Sequence, residues 1–228
     1  MIAGQSSVLL LALAVQATAP SLAIESFPPA AREAISRVHR AAVANPQDVE
    51  AVGALARMLH AWELWEPAHA TYERLHQIDP KAFEWRYLDA VVLQRLARHA
   101  DAAGQLRRAL SISPDYLPAQ VRLAESLFEA GRLDESEPLF AALVKQPAAE
   151  PAAELALGRI AAAADRHDAA VVHLQRAIAL FPELGAAHYA LALSYRALGR
   201  QTTRGVRWRC TASTDHAGPR SKTTSSGG

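Results

Sequence analysis

Four prolines constrain what this chain can fold into. Pro46, Pro80 and Pro114 stand 34 residues apart, and Pro182 falls two further periods on. Each closes a helical pattern that ends in a small or apolar residue: Val43 to Asn45, Gln77 to Asp79, Ile112 to Ser113, Ala179 to Phe181. A fixed period of this length marks a unit that buries its apolar face only by stacking on its neighbours. Helix pairs fill such a unit, so the expectation is an all-α solenoid. Composition agrees, because alanine and leucine dominate and only 6% of residues are aromatic, which favours helix over strand.

The units can be followed in order. Ala30 to Ala44 carries Ala34, Ile35, Val38, Ala41 and Ala42 on one helical face and reads as a half-repeat that caps the N-terminal end, within residues 24–48. The first full repeat, 49–82, has Val52, Leu55, Ala56 and Leu59 on helix A, and Ala68, Tyr72 and Leu75 on helix B. Small residues such as Ala56 and Ala68 mark where the two helices cross closely. Trp62 and Trp65 flank its turn and are expected to cover the junction with the cap, or to form a small apolar binding patch. The second, 83–116, repeats the pattern through Ala90, Leu93, Ala102, Leu106 and Ala109, but sets Asp89 where an apolar residue is expected. The third, 117–149, turns at Gly131, a residue suited to the positive φ that ends a helix. Its closing proline, Pro147, comes one residue early and predicts a shortened connection to the fourth repeat, 150–184. The fifth begins at Ala186 with Leu191, Ala192 and Tyr195, and the pattern stops at Gly199-Arg200.

These residues resemble the tetratricopeptide repeat family: a helix–turn–helix with a large residue, Leu-Gly/Ala and Tyr or Leu in helix A, and small, aromatic and small positions before a closing proline in helix B. The resemblance implies a right-handed α-solenoid of about four and a half repeats over 49–200. It also implies a scaffold that holds a peptide or a partner protein in the groove lined by its A helices. The outward A-helix positions would be Arg57 and His60 in the first repeat, Tyr87, Gln94 and Arg95 in the second, Glu125 and Phe128 in the third, Arg159 in the fourth, and Tyr189 and Arg196 in the fifth. Gly53, Val91, Val121, Leu155 and Leu193 would share that surface. Arginine and tyrosine suit an interface because they join contact area to directional donors, so an extended peptide or an acidic segment of a partner is the expected occupant. The Lys/Asn clamp that some members use for chaperone C-termini is missing, since Gly53, Arg57, Tyr87 and Val91 stand at its positions.

The two ends carry different text. Residues 1–23 read as a secretory signal peptide, with an apolar core from Val8 to Val15 and small residues at Ser21 and Ala23 before the cleavage point. The expected location is periplasmic or secreted, with no stable membrane span after cleavage; an uncleaved N-terminal anchor in the inner membrane is the alternative. Of 24 basic and 23 acidic residues, five basic and one acidic fall from Gln201 onward, which leaves 19 and 22 before it, a net charge of −3. A mildly acidic body argues against nucleic acid. Residues 201–228, rich in Thr, Ser, Gly and Arg, are expected to be a disordered basic tail. They stand where helix B of the fifth repeat is due, either through a shifted reading frame or as a functional tail. Without that helix, 185–199 keeps an uncovered apolar face (Leu191, Tyr195, Leu198), which predicts fraying or self-association.

No enzyme chemistry is legible. No pair of the nine histidines has the i,i+4 spacing with an acidic partner that a helical zinc site uses, and they are read as surface residues. The single Cys210 excludes thiolate clusters and an intramolecular disulfide, and no Cys-x-x-Cys-His is present. Phosphate loops and nucleophile elbows are absent. No catalytic residue, metal or cofactor is assigned. The alternatives to a scaffold are a small-ligand-binding module and an accessory repeat domain of a larger enzyme or electron-transfer protein.

Overall fold

The computed structural model describes residues 22–199. The predicted signal peptide, save its last two residues, and the predicted tail 201–228 lie outside the described residues. Between them run ten helices and no strand among the described residues: α1 Pro29–Ala44, α2 Val49–Ala61, α3 Trp65–Ile78, α4 Phe83–Arg95, α5 His99–Ile112, α6 Leu117–Glu129, α7 Leu133–Leu143, α8 Glu150–Ala163, α9 His167–Leu180 and α10 Gly185–Ala197. Each packs on the next along the chain, as a solenoid requires. Helices α2, α4, α6, α8 and α10 are the A helices. The rest are B helices, α1 included, since it ends one period before α3.

The 34-residue period sets the core. Along the A helices, Ala56, Ala90 and Ala124 are fully buried, and Gly158 takes the same position in α8. Facing them in the B helices are Ala68, Ala102, Ser136 and Ala170, followed one turn later by Tyr72, Leu106, Phe140 and Leu174, all buried. Small residues let the helices cross closely, and the large ones fill the space beside the crossing. Gly158 shows how tight this is: a Cβ there would stand 2.6 Å from Leu174 Cγ. Where the small position holds a polar side chain, its partner is supplied locally, for the Ser136 hydroxyl donates to the Ala124 carbonyl at 3.1 Å.

A second ruler, invisible as a residue type, lies in the A-to-B turns. Glu63, Ala97, Gly131, Asp165 and Gly199 all have positive φ, between 56° and 76°, at intervals of one period. The next amide reaches back to the carbonyl five residues earlier: Leu64 to Leu59 at 2.9 Å, Arg98 to Leu93 at 2.9 Å, Arg132 to Leu127 at 2.8 Å and Arg166 to Ala161 at 2.8 Å. This is the Schellman closure of a helix, and it demands a left-handed residue whether or not glycine is there. Three of the five sites therefore hold a side chain in strained backbone. Replacing Ala97 by glycine is expected to stabilise the fold by about 0.5–1 kcal/mol and to raise Tm by roughly 2–4 °C per kcal/mol. Thermal unfolding followed by circular dichroism checks it.

The connection at Pro147 is longer than its neighbours, not shorter. Residues 79–82, 113–116 and 181–184 join the other B helices to the next A helix, whereas 144–149 join α7 to α8. No residue has been lost, because Gly131 and Asp165 still stand one period apart. Instead α7 is cut to 11 residues, against 14 in α3, α5 and α9. The ring of Pro147 disfavours helical backbone at Gln146, so the helix ends a turn early. Pro138 removes one further intrahelical amide from α7.

Candidate functional site on the concave face

The A helices bring part of the predicted surface into one place. A depression of 390 Å³ is lined by Val91, Gln94 and Arg95 of α4, Arg122, Glu125, Phe128 and Glu129 of α6, and Leu155, Ala156 and Arg159 of α8, with His99 and Phe140 contributed by B helices. Five of the ten residues expected from sequence meet there: Gln94, Arg95, Glu125, Phe128 and Arg159. Its apolar surface comes from Val91, Phe128, Phe140 and Leu155, and its arginines stand around them.

Most of the polar groups are already held in position. Arg122 donates to Gln94 Oε1 at 2.6 Å and to the Tyr87 hydroxyl at 3.2 Å, while Gln94 Nε2 donates to Ser126 Oγ at 2.9 Å. Arg159 lies 4.4 Å above the Phe128 ring and 3.6 Å from Glu129. Arg95 differs. Its guanidinium stands 6.0 Å from the Trp65 ring, and no carboxylate pairs with it among the described residues. Glu125 reaches solvent, but the surrounding walls withdraw enough water to hold its carboxyl above the usual range; Glu129 adds to the rise and Arg122 opposes it.

The other five expected residues are elsewhere. Arg57 bridges Glu50 at 3.1 Å and Glu84 at 3.2 Å and stacks 5.3 Å from the Trp85 ring, so it clamps α2 to α4. His60 meets the Tyr72 hydroxyl through Nδ1 at 3.2 Å. Burial and then Arg95 and Arg122 depress its pKa, which keeps it neutral. Tyr87 belongs to an aromatic cluster with Phe83 and Tyr116, at ring distances of 5.7 and 5.3 Å. Tyr189 and Arg196 are exposed on α10, away from the depression. Gly53, expected on the concave surface, is buried beneath Trp85, where an added Cβ would come within 2.7 Å of the indole. The large Trp85 is what forces glycine there.

Two features escaped the sequence reading. Arg122 orders the site, and its signal was available: the residues one period away are Leu88 and Ala156. The histidines were also misplaced, for His69 is buried and His76 nearly so. His69 Nδ1 is hydrogen-bonded to Asp89 at 2.7 Å, and His76 Nε2 stands 3.8 Å from the other Asp89 oxygen. Asp89, fully buried, thus fills an apolar position by pairing with two histidines of the preceding B helix. The hydrogen bond to Asp89 raises the pKa of His69, whereas burial lowers that of His76. A similar pair joins His173 to the buried Glu154 at 2.7 Å. Trp62 covers the N-terminal junction, its ring edge-on to Phe27 at 5.5 Å. Among the described residues, no three His, Cys, Asp or Glu side chains are grouped to hold a metal ion.

Comparison with known proteins bears on this geometry. Residues 93–160, which supply most of the depression, match the family model described as Tetratricopeptide repeat. The chain carries tetratricopeptide repeats over residues 93–160. Its fold is the right-handed tetratricopeptide α-solenoid, as the solved structures similar to it confirm. One is YrrB, described as a TPR protein with an unusual peptide-binding site: 21% identity, TM-score 0.65, covering 71% of this chain and 83% of that one. Another is MamA from Desulfovibrio magneticus RS-1, residues 41 to the end, at 17% identity and TM-score 0.62, covering 67% and 86%. A thermophilic TPR protein of Thermus thermophilus, TTC0263, aligns at 21% identity and TM-score 0.50, covering 73% and 91%. No curated protein matches the sequence. Tetratricopeptide solenoids are protein-binding scaffolds, and the concave depression belongs to the A-helix face of this one.

Proposed function

We propose that this tetratricopeptide scaffold binds an extended segment of a partner protein in the concave depression. A large apolar side chain would sit among Val91, Phe128 and Leu155, and a carboxylate would pair with Arg95. The supporting observation is the arginine itself: Arg95 lines the site without an acidic partner among the described residues, while Arg122 and Arg159 are already engaged. A guanidinium beside an apolar wall selects a carboxylate next to a hydrophobic residue. The peptide-binding site in the description of YrrB agrees with this reading. Read with the signal-like residues 1–23, the proposal places the scaffold in an exported, envelope setting; no helix among the described residues is long and apolar enough to cross a membrane.

An array of decapeptides tests it. The peptides retained should pair Asp, Glu or a free C-terminus with Phe, Leu or Trp. Phe128→Ala and Arg95→Glu should each weaken their binding by roughly 10- to 100-fold, with helical content unchanged. Retention that is indifferent to both substitutions would remove the site. Cell fractionation tests the location, and a protein found only in the cytosol would refute it.

A further inference from the structure

The two ends of the described solenoid are unfinished in complementary ways. At the C-terminal end, α10 is an A helix with a B helix before it, α9, and none after it among the described residues. Its Leu191, Ala192 and Tyr195 stand one period after Leu157, Gly158 and Ala161, which are all buried. In α10, Leu191 and Tyr195 are only half-buried and Ala192 is exposed, whereas Ala56, Ala90 and Ala124 at its position are 0% exposed. At the N-terminal end, α1 is a B helix with no A helix before it among the described residues. Its Ala34, Val38 and Ala41 match Ala68, Tyr72 and Leu75 of α3 and Ala170, Leu174 and Ala177 of α9, all 0% exposed. In α1 the first two are half-buried and Ala41 is exposed. Leu22 and Ile24 pack on the first core cluster at this end and still leave that face open.

The A-to-A contact between repeats shows the same complementarity. Gly53 lies beneath Trp85, 32 residues on. At the same spacing, Tyr87 shares a core cluster with Ala119, Val121 with Ala153, and Leu155 with Ala187. Each junction pairs one large residue with one small one. The next member of the series is Tyr189, 67% exposed with nothing beyond it among the described residues. The residue one period before Trp85 is Ala51, half-buried at the start of α2. Tyr189 against Ala51 would continue the pattern of Tyr87 and Ala119.

We propose that these ends are the two halves of one repeat. A second copy of this chain seats its α1 against α10 and its Ala51 beside Tyr189, continuing the solenoid head to tail. Such a contact is heterologous and does not close, so copies add one after another. The contact does not depend on the peptide reading, because neither Ala41 nor Ala192 lines the concave depression.

Sedimentation velocity of the full chain over a concentration series, with two single variants, tests this. The wild type should pass beyond twice the protomer mass as concentration rises. Ala192→Arg blocks one end and Ala41→Arg the other, and because both residues are exposed each variant should keep its helical content. Each alone should stay monomeric, and an equimolar mixture should form a dimer that grows no further. A monomeric wild type overturns the proposal. So does association that survives either substitution, as pairing of α10 with α10 would survive Ala41→Arg.

Discussion

Replacing Asp89 with alanine is expected to destabilise the protein by about 3–4 kcal/mol, because it removes one partner of a buried, hydrogen-bonded His–Asp pair. Asp89 is completely buried, and its close partner is His69 Nδ1 at 2.7 Å. The variant strands His69, itself buried, and leaves a cavity between α3 and α4. Urea unfolding monitored at 222 nm checks the size of the loss. The double change Asp89→Leu with His69→Val installs what other repeats use, since Leu55, Leu123 and Leu157 match position 89 and Val171 matches position 69. It is expected to be at least as stable as the wild type. A double variant as damaged as Asp89→Ala would show that the pair is not the source of the effect.

The same pair gives a pH dependence whose sign can be worked out. His69 has a folded pKa raised above 6.5, chiefly by its hydrogen bond to Asp89. Its contribution is therefore complete below pH 6.5 and fades as pH rises through the elevated folded value. His76 runs the other way: burial lowers its pKa, so its contribution is present above pH 6.5 and is lost as pH falls toward the folded value. The stability gap between wild type and Asp89→Ala should thus be widest on the acid side of 6.5 and narrow above it. A gap that does not change with pH would argue against a charged His69.

Tyr72→Ala is the second large effect, expected at about 3–5 kcal/mol. The ring is fully buried in the first repeat, packed with Leu55, Leu59, Leu75 and Trp85. Its hydroxyl meets His60 at 3.2 Å, and burial pushes the phenol pKa well above its ordinary value, so the group stays neutral. Tyr72→Phe keeps the packing and loses the hydrogen bond, and should cost only about 1 kcal/mol. The damage should also be local. A solenoid has no single core: four apolar clusters follow one another along the chain, and each repeat couples mainly to its neighbours. Amide exchange in Tyr72→Ala should therefore rise across α2 to α4 while α8 and α9 remain protected. Uniform loss of protection would show a more global cooperativity.

Much of this was legible in the residues because the fold is built by repetition. The small positions Ala56, Ala90, Ala124 and Gly158 recur at the period that also spaces the closing prolines, and both follow from how closely two helices must cross. The site was half legible. Glu125, Phe128 and Arg159 were expected on the groove and line its depression. Arg57 was expected there too, but the distances turned it into a clamp between Glu50 and Glu84. A period assigns a residue to a face; it does not say which neighbour reaches that face first.

By itself, the sequence determined the helix-pair unit, its length and most of the buried side of each helix, since these rest on local propensity and nearest-neighbour packing. It also marked Gly131 for positive φ, but not Glu63, Ala97 or Asp165, whose left-handed backbone is imposed by helix closure and not by side-chain preference. Only the tertiary structure decided the rest. It set Gly53 beneath Trp85, joined Asp89 to histidines 13 and 20 residues earlier on another helix, and gathered α4, α6 and α8 around one depression. Those outcomes depend on curvature and side-chain size across two repeats, which a pattern repeating every 34 residues does not encode.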